Sequence, residues 1–135
     1  MRNTEWTETW APRMLGILRI VAGLLFLEHG TQKLFGFPMG PNPQPELFSL
    51  LGLAGVLEFV GGVLIVLGLL TRPAAFVVAG EMAFAYFIGH APRSAFPVLN
   101  GGDAAILFCF VFLYLVAAGP GAFSMDRSRA GDGTV

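Results

Sequence analysis

Four polar residues interrupt an apolar stretch, LFLEHGTQKLFGF, over residues 25–37: Glu28, His29, Gln32 and Lys33. A carboxylate, an imidazole and an ammonium this close together can exchange protons, bind a polar head group or form ion pairs. Ionisable groups inside a membrane span are costly, so they usually face a bundle interior or a water-filled cavity and mark function. The stretch is therefore the first candidate site.

Two further glutamates, Glu58 and Glu81, stand within other apolar runs. With a helical rise of about 1.5 Å per residue, they and Glu28 all fall within roughly 5 Å of the bilayer midplane. Each central carboxylate costs about 2.5–3.5 kcal/mol on the insertion scale, so we expect these groups to pair or be neutralised. The candidate charge partners on the first run are Arg19, His29 and Lys33.

Four apolar runs must position these groups. The second and third runs are joined only by Thr71-Arg72-Pro73, which predicts an antiparallel hairpin, since proline suits the first turn of a helix. Asn100-Gly101-Gly102 is turn chemistry, and Asp103 can stabilise the start of the fourth helix. We predict an all-α integral membrane four-helix bundle with antiparallel up-down topology. Its expected spans are approximately residues 14–35, 50–70, 73–89 and 104–118.

The composition agrees with a membrane domain over residues 14–121. Of the 135 residues, 55% are hydrophobic and 13% are charged, against about 25% charged in soluble domains. Residues 1–13 contain two tryptophans and are expected to form an interfacial segment, whereas 122–135 are expected to be a disordered cytoplasmic tail. The first apolar run is too long for a signal-peptide core, so we expect it to be retained as a span.

Charge predicts the orientation and limits the partners. The arginines fall mainly on the side of the two termini, which places both termini in the cytoplasm by the positive-inside rule. His90, Asn100 and Asp103 then lie at the outer side. A net charge of −1 argues against nucleic acid as a partner, and the single cysteine excludes an intrachain disulfide or thiolate metal cluster.

Several segments together resemble the DoxX family of small four-span bacterial membrane proteins, over about residues 14–126. They are LLFLEHGTQKLFGF, GVLEFVGGVLIVLGLLTRPAA, GEMAFAYFIGHAP and NGGDAAILFCFVFLYLVAAGPGAFSMD. Asp103 stands where members more often have glutamate, which keeps the charge on a shorter arm. The resemblance implies a multi-pass protein of the bacterial cytoplasmic (inner) membrane. The positions it marks are His29, Gly30, Lys33, Gly36, Glu58, Gly61, Gly62, Glu81, Asn100 and Asp103.

The resemblance also implies a link to redox physiology, because the family is named after a subunit of quinone-linked sulfur oxidation and relatives belong to oxidative-stress systems. The first hypothesis is therefore a quinone-associated membrane subunit, at most the membrane part of an oxidoreductase complex. His29 or His90 would hydrogen-bond a quinone carbonyl, and Glu28 or Glu58 would exchange protons. Electrons would come from a soluble redox partner protein, since the sequence has no flavin motif or iron–sulfur ligands.

Two other functions stay open. The bundle could bind a small molecule or relay protons through Glu58 and Glu81, which would require a homo-oligomer because four spans are few for a transporter. Alternatively, it could be a non-catalytic anchor or assembly subunit in the lipid bilayer, whose polar core gives helix specificity only. A metal site and a bis-histidine haem are both disfavoured, since no helical ligand spacing supports a metal and His90 lies at the end of a span.

Overall fold

The structure, a computed structural model, describes residues 2–131. Within that range the chain is helical and contains no strand, which confirms the all-α prediction. A π-helical segment, Tyr86–His90, and a 3₁₀ turn, Ala91–Arg93, continue α3 without a break. The α-helices are α1 (Arg2–Phe35), α2 (Leu50–Leu67), α3 (Thr71–Ala85), α4 (Pro97–Asn100), α5 (Asp103–Ala118) and α6 (Met125–Arg129).

Three helical stretches are long and apolar enough to cross a membrane: Thr4–Phe35, Leu50–Leu67 and Thr71–Arg93. They overlap the first three expected spans. The fourth apolar helix, α5, has 16 residues. At 1.5 Å per residue it extends about 24 Å, against a hydrocarbon thickness of about 30 Å. The fourth span and the orientation of the termini therefore stay predictions.

The connection between α2 and α3 is short, as the sequence predicts, but it consists of residues 68–70, and Thr71, Arg72 and Pro73 form the first turn of α3. Gly68 ends α2 in the left-handed conformation (φ 63°), and its N–H donates to the carbonyl of Ile65. Leu70 is also left-handed (φ 50°), which is uncommon for a residue with a side chain. The carboxylate of Asp126 accepts hydrogen bonds from the N–H groups of Leu70 and Thr71, both at 2.8 Å. A residue far along the chain thus fixes this turn.

Glycines allow α1 and α2 to approach closely. A Cβ at Gly62 would lie 2.8 Å from the Cα of Leu27, and one at Gly30 would collide with the backbone of Phe59. Small residues let helices pack this closely in membranes. α3 packs mainly against α5, and α2 contacts α3, so the core lies between the two helix pairs.

Both ends of the described chain are helical, and the interfacial position expected for the N-terminal segment stays a prediction. Residues 2–13 continue α1 without a break, with Pro12 inside the helix. The tail was expected to be disordered from residue 122, but α6 forms because Ser124 accepts a hydrogen bond from the N–H of Arg127 and Asp126 holds the α2–α3 turn. Met1 and residues 132–135, which belong to the predicted interfacial segment and tail, lie outside the described residues.

Candidate functional site

Lys33 and Glu58 form an ion pair between α1 and α2. The Lys33 Nζ lies 2.5 Å and 2.6 Å from the two carboxylate oxygens of Glu58. Glu58 is 3% exposed, and the Lys33 side chain is 25% exposed. A Cβ at Gly55 would lie 2.8 Å from the Cβ of Lys33, so this glycine lets the lysine stem pass along α2. The structure therefore joins two of the residues that the sequence predicts for the site.

Glu81 of α3 lies within electrostatic range of this ion pair, where it interacts with both Glu58 and Lys33. Both of its carboxyl oxygens are buried, and neither has a hydrogen-bond partner among the described residues. A buried carboxyl group without a partner costs free energy unless a proton or a donor satisfies it. We call Lys33, Glu58 and Glu81 the charged cluster, and Glu81 is its unsatisfied member.

An aromatic wall, formed by Phe26 of α1 with Phe108 and Phe112 of α5, lies about two helical turns before Lys33 along α1. Gly61, three residues after Glu58, has close neighbours on both sides. A Cβ added at this glycine would collide with Val78 of α3 and would lie 3.8 Å from the ring of Phe26. The Phe26 ring is fully buried and meets Phe112 of α5 edge-on, with ring centroids 4.9 Å apart. The sequence analysis did not single out Phe26, although its spacing of seven residues from Lys33 places both on one face of α1.

His29 lies at the edge of this wall. Its ring is exposed and meets Phe108 of α5 edge-on, with centroids 6.1 Å apart. Phe108 in turn contacts Phe26, with centroids 5.6 Å apart. An imidazole beside an aromatic wall can hydrogen-bond a polar head group whose apolar part lies against the rings. His29 thus borders the site without belonging to the charged cluster.

A second polar group closes the end of the bundle where α3 stops. His90 Nδ1 lies 3.0 Å from the carbonyl oxygen of Asn100, and its ring stacks on Tyr86 at a centroid distance of 6.4 Å. The buried Asn100 amide donates to the Tyr86 hydroxyl at 3.3 Å and to the Ser94 carbonyl at 2.9 Å. Its Oδ1 accepts from the Gly102 N–H at 2.8 Å. These bonds fold the α3–α5 connection and leave Asn100 fully engaged.

Sequence reasoning missed Tyr86, which contacts both His90 and Asn100. The signal that could have found it is its four-residue spacing from His90, which places both rings on one side of a helix. Asp103, by contrast, is exposed in the first turn of α5. That position suits its predicted role at a helix start rather than a role in the charged cluster.

Glu28 and His29 do not join the buried cluster. Both are exposed on α1, and no hydrogen bond or ion pair to the Glu28 carboxylate exists among the described residues. Adjacent residues on a helix point about 100° apart, so the Glu28 side chain cannot face α5 as the neighbouring His29 does. Glu28 therefore points away from the bundle, although it was predicted to lie among the central carboxylates.

Arg19 is fully buried, but it binds carbonyl groups and not carboxylates, which corrects its predicted role as their charge partner. Its guanidinium donates to Ile65 and Val66 at the end of α2, at 2.7 Å and 2.6 Å. It also donates to the loop after α5, at carbonyls of Pro120, Ala122 and Phe123. Helix ends leave orphan carbonyls, and the arginine satisfies them at the opposite end of the bundle from His90.

The residues that could ligate a metal ion are not gathered together in the described part of the chain. No group of three or more His, Cys, Asp and Glu side chains there is arranged to hold a metal ion. Both oxygens of Glu58 are already bound by Lys33. The side chains of the charged cluster can exchange protons and form hydrogen bonds.

Comparisons with known proteins agree on one family. Residues 14–91 match the model of the DoxX family. A protein of Haemophilus influenzae of uncharacterised function is 42% identical over 129 residues, which cover 89% of this chain and 93% of that protein. An uncharacterised membrane protein of Mycobacterium tuberculosis is 32% identical over 139 residues, with 82% and 77% covered. No solved structure shows significant similarity.

An Escherichia coli relative bears on the location of the chain. The inner membrane protein YqjF is 31% identical over 123 residues, covering 82% of this chain and 88% of that protein. Together with the three candidate spans, such relatives identify the chain as a multi-pass protein of the bacterial inner membrane. The lipid bilayer is accordingly its immediate surroundings.

Proposed function

Because the chain belongs to the DoxX family, we propose that it is a quinone-associated redox or oxidative-stress-related membrane subunit. Its site would be the charged cluster, with the aromatic wall below it and His29 at its edge. A bound quinone would supply two-electron, two-proton chemistry. The residues of this chain would bind the head group, exclude water and exchange protons with it.

One observation carries this proposal: the two buried carboxyl oxygens of Glu81 have no partner among residues 2–131. A hydroxyl group of a reduced head group could donate to Glu81, and the Lys33 ammonium could donate to a carbonyl oxygen. Lys33 is partly exposed and has one N–H more than the two that bind Glu58. Glu81 would therefore be the proton-exchanging group, and Glu58 would hold Lys33 in place.

The aromatic wall supports the same assignment. Phe108 is partly exposed and presents its ring beside His29, while the fully buried Phe26 supports it edge-on from within the bundle. Offset or edge-on aromatic contacts suit a flat head group. Ligand sites in helical bundles typically combine such apolar walls with few convergent polar groups. Electrons would come from a soluble redox partner, because the sequence carries no flavin or iron–sulfur motif.

We include the four-span topology in this proposal. α5 would be the fourth span, since it is uniformly apolar and packs along α3. Both termini would then lie in the cytoplasm, on the side of Arg13, Arg72, Arg127 and Arg129. The charged cluster would open towards the outer leaflet.

A second candidate function rests on the completeness of the Lys33–Glu58 pair, whose carboxylate and ammonium already satisfy each other. Such a pair is sufficient to fix the register of two helices in a non-catalytic anchor or assembly subunit. A third rests on Glu58 and Glu81, two carboxyl groups in electrostatic contact that could relay protons without a ligand.

The test is a solvent extract of the purified full-length protein, analysed for quinones by mass spectrometry. Wild-type protein and Glu46→Gln, which changes an exposed loop carboxylate, should retain quinone in stoichiometric amount. Glu81→Gln should lose it, because an amide cannot exchange a proton at the same atom. Absence of quinone from every sample, with a liposome proton leak that depends on Glu81, would replace the proposal with the relay. Absence of both would leave the anchor.

A further inference from the structure

The face of α1 that points away from the bundle carries a regular pattern. Residues spaced alternately by four and three positions form one line along this face. That is the heptad spacing of helices that pack in pairs. Its apolar members are between 41% and 54% exposed, although they lie in a candidate span. We call this line the outward seam: Met14, Leu18, Val21, Leu25, Glu28 and Gln32. Phe35, the next position in the pattern, meets Phe59 of α2 edge-on with ring centroids 5.4 Å apart, so the seam ends at Gln32.

The outward seam is opposite the face of α1 that the bundle already uses. Ala22, Phe26 and Gly30 are buried against the rest of the bundle, and none of them belongs to the seam. The seam therefore remains available from Met14 to Glu28 after the chain has folded, and Gln32 at its end is half-buried beside the loop at Pro38. It keeps two seven-residue repeats, from 14 to 28 and from 18 to 32, which favours a left-handed supercoil with another helix.

Two members of the seam are polar and complementary. Glu28 has a carboxylate without a partner among the described residues, and Gln32 stands one helical turn further along the same line. The Gln32 amide donates to the carbonyl of Pro38 at 3.1 Å. An amide nitrogen carries two N–H groups, so one donor remains for a second acceptor.

We propose that the outward seam is a dimer interface for a second copy of this chain. Both copies are inserted in the same orientation, so a twofold axis along the membrane normal brings the two α1 helices together in parallel. Glu28 of one copy then lies level with the partner's Glu28, and the partner's Gln32 lies in the next layer, about 6 Å further along the helix axis. Each Gln32 amide donates to the partner's Glu28, which makes two reciprocal hydrogen bonds inside the membrane.

A second copy is the occupant because donor and acceptor lie on the same seam. An isologous contact needs a self-complementary surface, and the spacing of Glu28 and Gln32 supplies one. The same contact removes an ionisable group from lipid near the bilayer midplane, where it is costly. This interface uses a different face of α1 from the charged cluster, so it does not depend on the proposed quinone site.

Disulfide trapping in native membranes tests the interface without altering Glu28. In a Cys109→Ala background, Val21→Cys and Leu25→Cys should each form covalent dimers under mild oxidation. Val60→Cys is the matched control, since Val60 lies on α2 and is 51% exposed, close to the 49% of Val21 and Leu25. Equal trapping at all three positions would indicate random collision and would overturn the proposal, as would trapping at none.

Fluorescence energy transfer between labelled copies in liposomes tests the polar pair. Glu28→Leu should weaken association about tenfold, as expected for loss of interhelical hydrogen bonds in a membrane. Glu28→Gln keeps an acceptor oxygen and should associate within about threefold of wild type. Association of Glu28→Leu equal to wild type, or energy transfer no greater than for an unrelated membrane protein, would contradict the proposal.

Discussion

Lys33 of α1 and Glu58 of α2 lie in salt-bridge contact, with the lysine Nζ 2.5 Å and 2.6 Å from the two oxygens of one buried carboxylate. Two glycines make this possible, because Gly30 and Gly55 let the helices come close at this level. Glu81 lies within electrostatic range of the pair, and its carboxyl group has no donor among residues 2–131. The arrangement therefore combines one satisfied charge pair with one unsatisfied carboxyl group.

The ion pair predicts an asymmetry between single and double substitutions. Lys33→Met or Glu58→Met alone leaves an uncompensated charge and should lower the free energy of unfolding by about 3–5 kcal/mol. The double variant removes both charges and should cost much less than the sum of the two. Denaturation in detergent micelles, with a double-mutant cycle, measures the coupling. Additive effects would show that the two side chains do not stabilise each other.

Glycine packing predicts opposite outcomes for two similar changes. Gly30→Ala introduces a Cβ that meets the backbone of Phe59, so it should destabilise by about 1–3 kcal/mol. Gly80→Ala is the matched control, because nothing lies within 4 Å of the added atom. It should be neutral or should stabilise by up to about 1 kcal/mol through helix propensity. Thermal unfolding of the three proteins would contradict the packing if Gly30→Ala melted like Gly80→Ala.

The hydrogen bonds of Arg19 predict that a positive charge at position 19 is not sufficient to keep the fold stable. Arg19→Met leaves five carbonyl acceptors without their donor and should destabilise strongly, by about 3 kcal/mol or more. Arg19→Lys should rescue little, since an ammonium cannot reproduce the planar guanidinium fork. Arg93→Met, on an exposed residue outside this network, serves as the control. Full rescue by lysine would show that the fork geometry is unimportant.

Asp126 predicts a pH dependence at the α2–α3 turn. Burial opposes its ionisation, but the N–H groups of Thr71 and Leu70 donate to it and outweigh burial, so its pKa is lowered. A lowered folded-state pKa stabilises the fold above the unfolded-state value of about 3.9, and the contribution is lost as pH falls through the folded value.

The measurement compares wild type with Asp126→Asn. At neutral pH the wild type should be the more stable protein, and the difference should shrink once the pH falls below about 4. Asp103→Asn, an exposed aspartate in α5, controls for the general effect of removing a carboxylate. A difference that stays constant with pH would show that the charge of Asp126 does not matter.

Sequence reasoning found the elements better than their contacts. The depths of Glu58 and Glu81 follow from the apolar runs, and helical spacing separates Glu28 from the face of Lys33. Which residue pairs with Glu58 depends on the rotation of α1 relative to α2. Hydrophobic patterning within one run does not determine that rotation. The sequence therefore listed three partners for the glutamates, of which the structure places Lys33 on Glu58.

The end of the bundle that holds Arg19 shows the same limit. The partners of Arg19 are backbone carbonyls, and every residue has one, so its five acceptors leave no mark in the sequence. α6 has only five residues, so it depends on Ser124, which caps its start, and on Asp126, whose partners lie 55 and 56 residues away. Short helices fixed by distant contacts are therefore easily mistaken for disorder.

The central claim is that Glu81 contacts a quinone head group, and infrared difference spectroscopy tests it most directly. Adding a quinone to the purified protein in lipid should change the carboxyl stretching bands, and the change should disappear in Glu81→Gln while persisting in Glu46→Gln. That result would identify Glu81 as the group that meets the ligand. Identical difference spectra for wild type and Glu81→Gln would contradict the account.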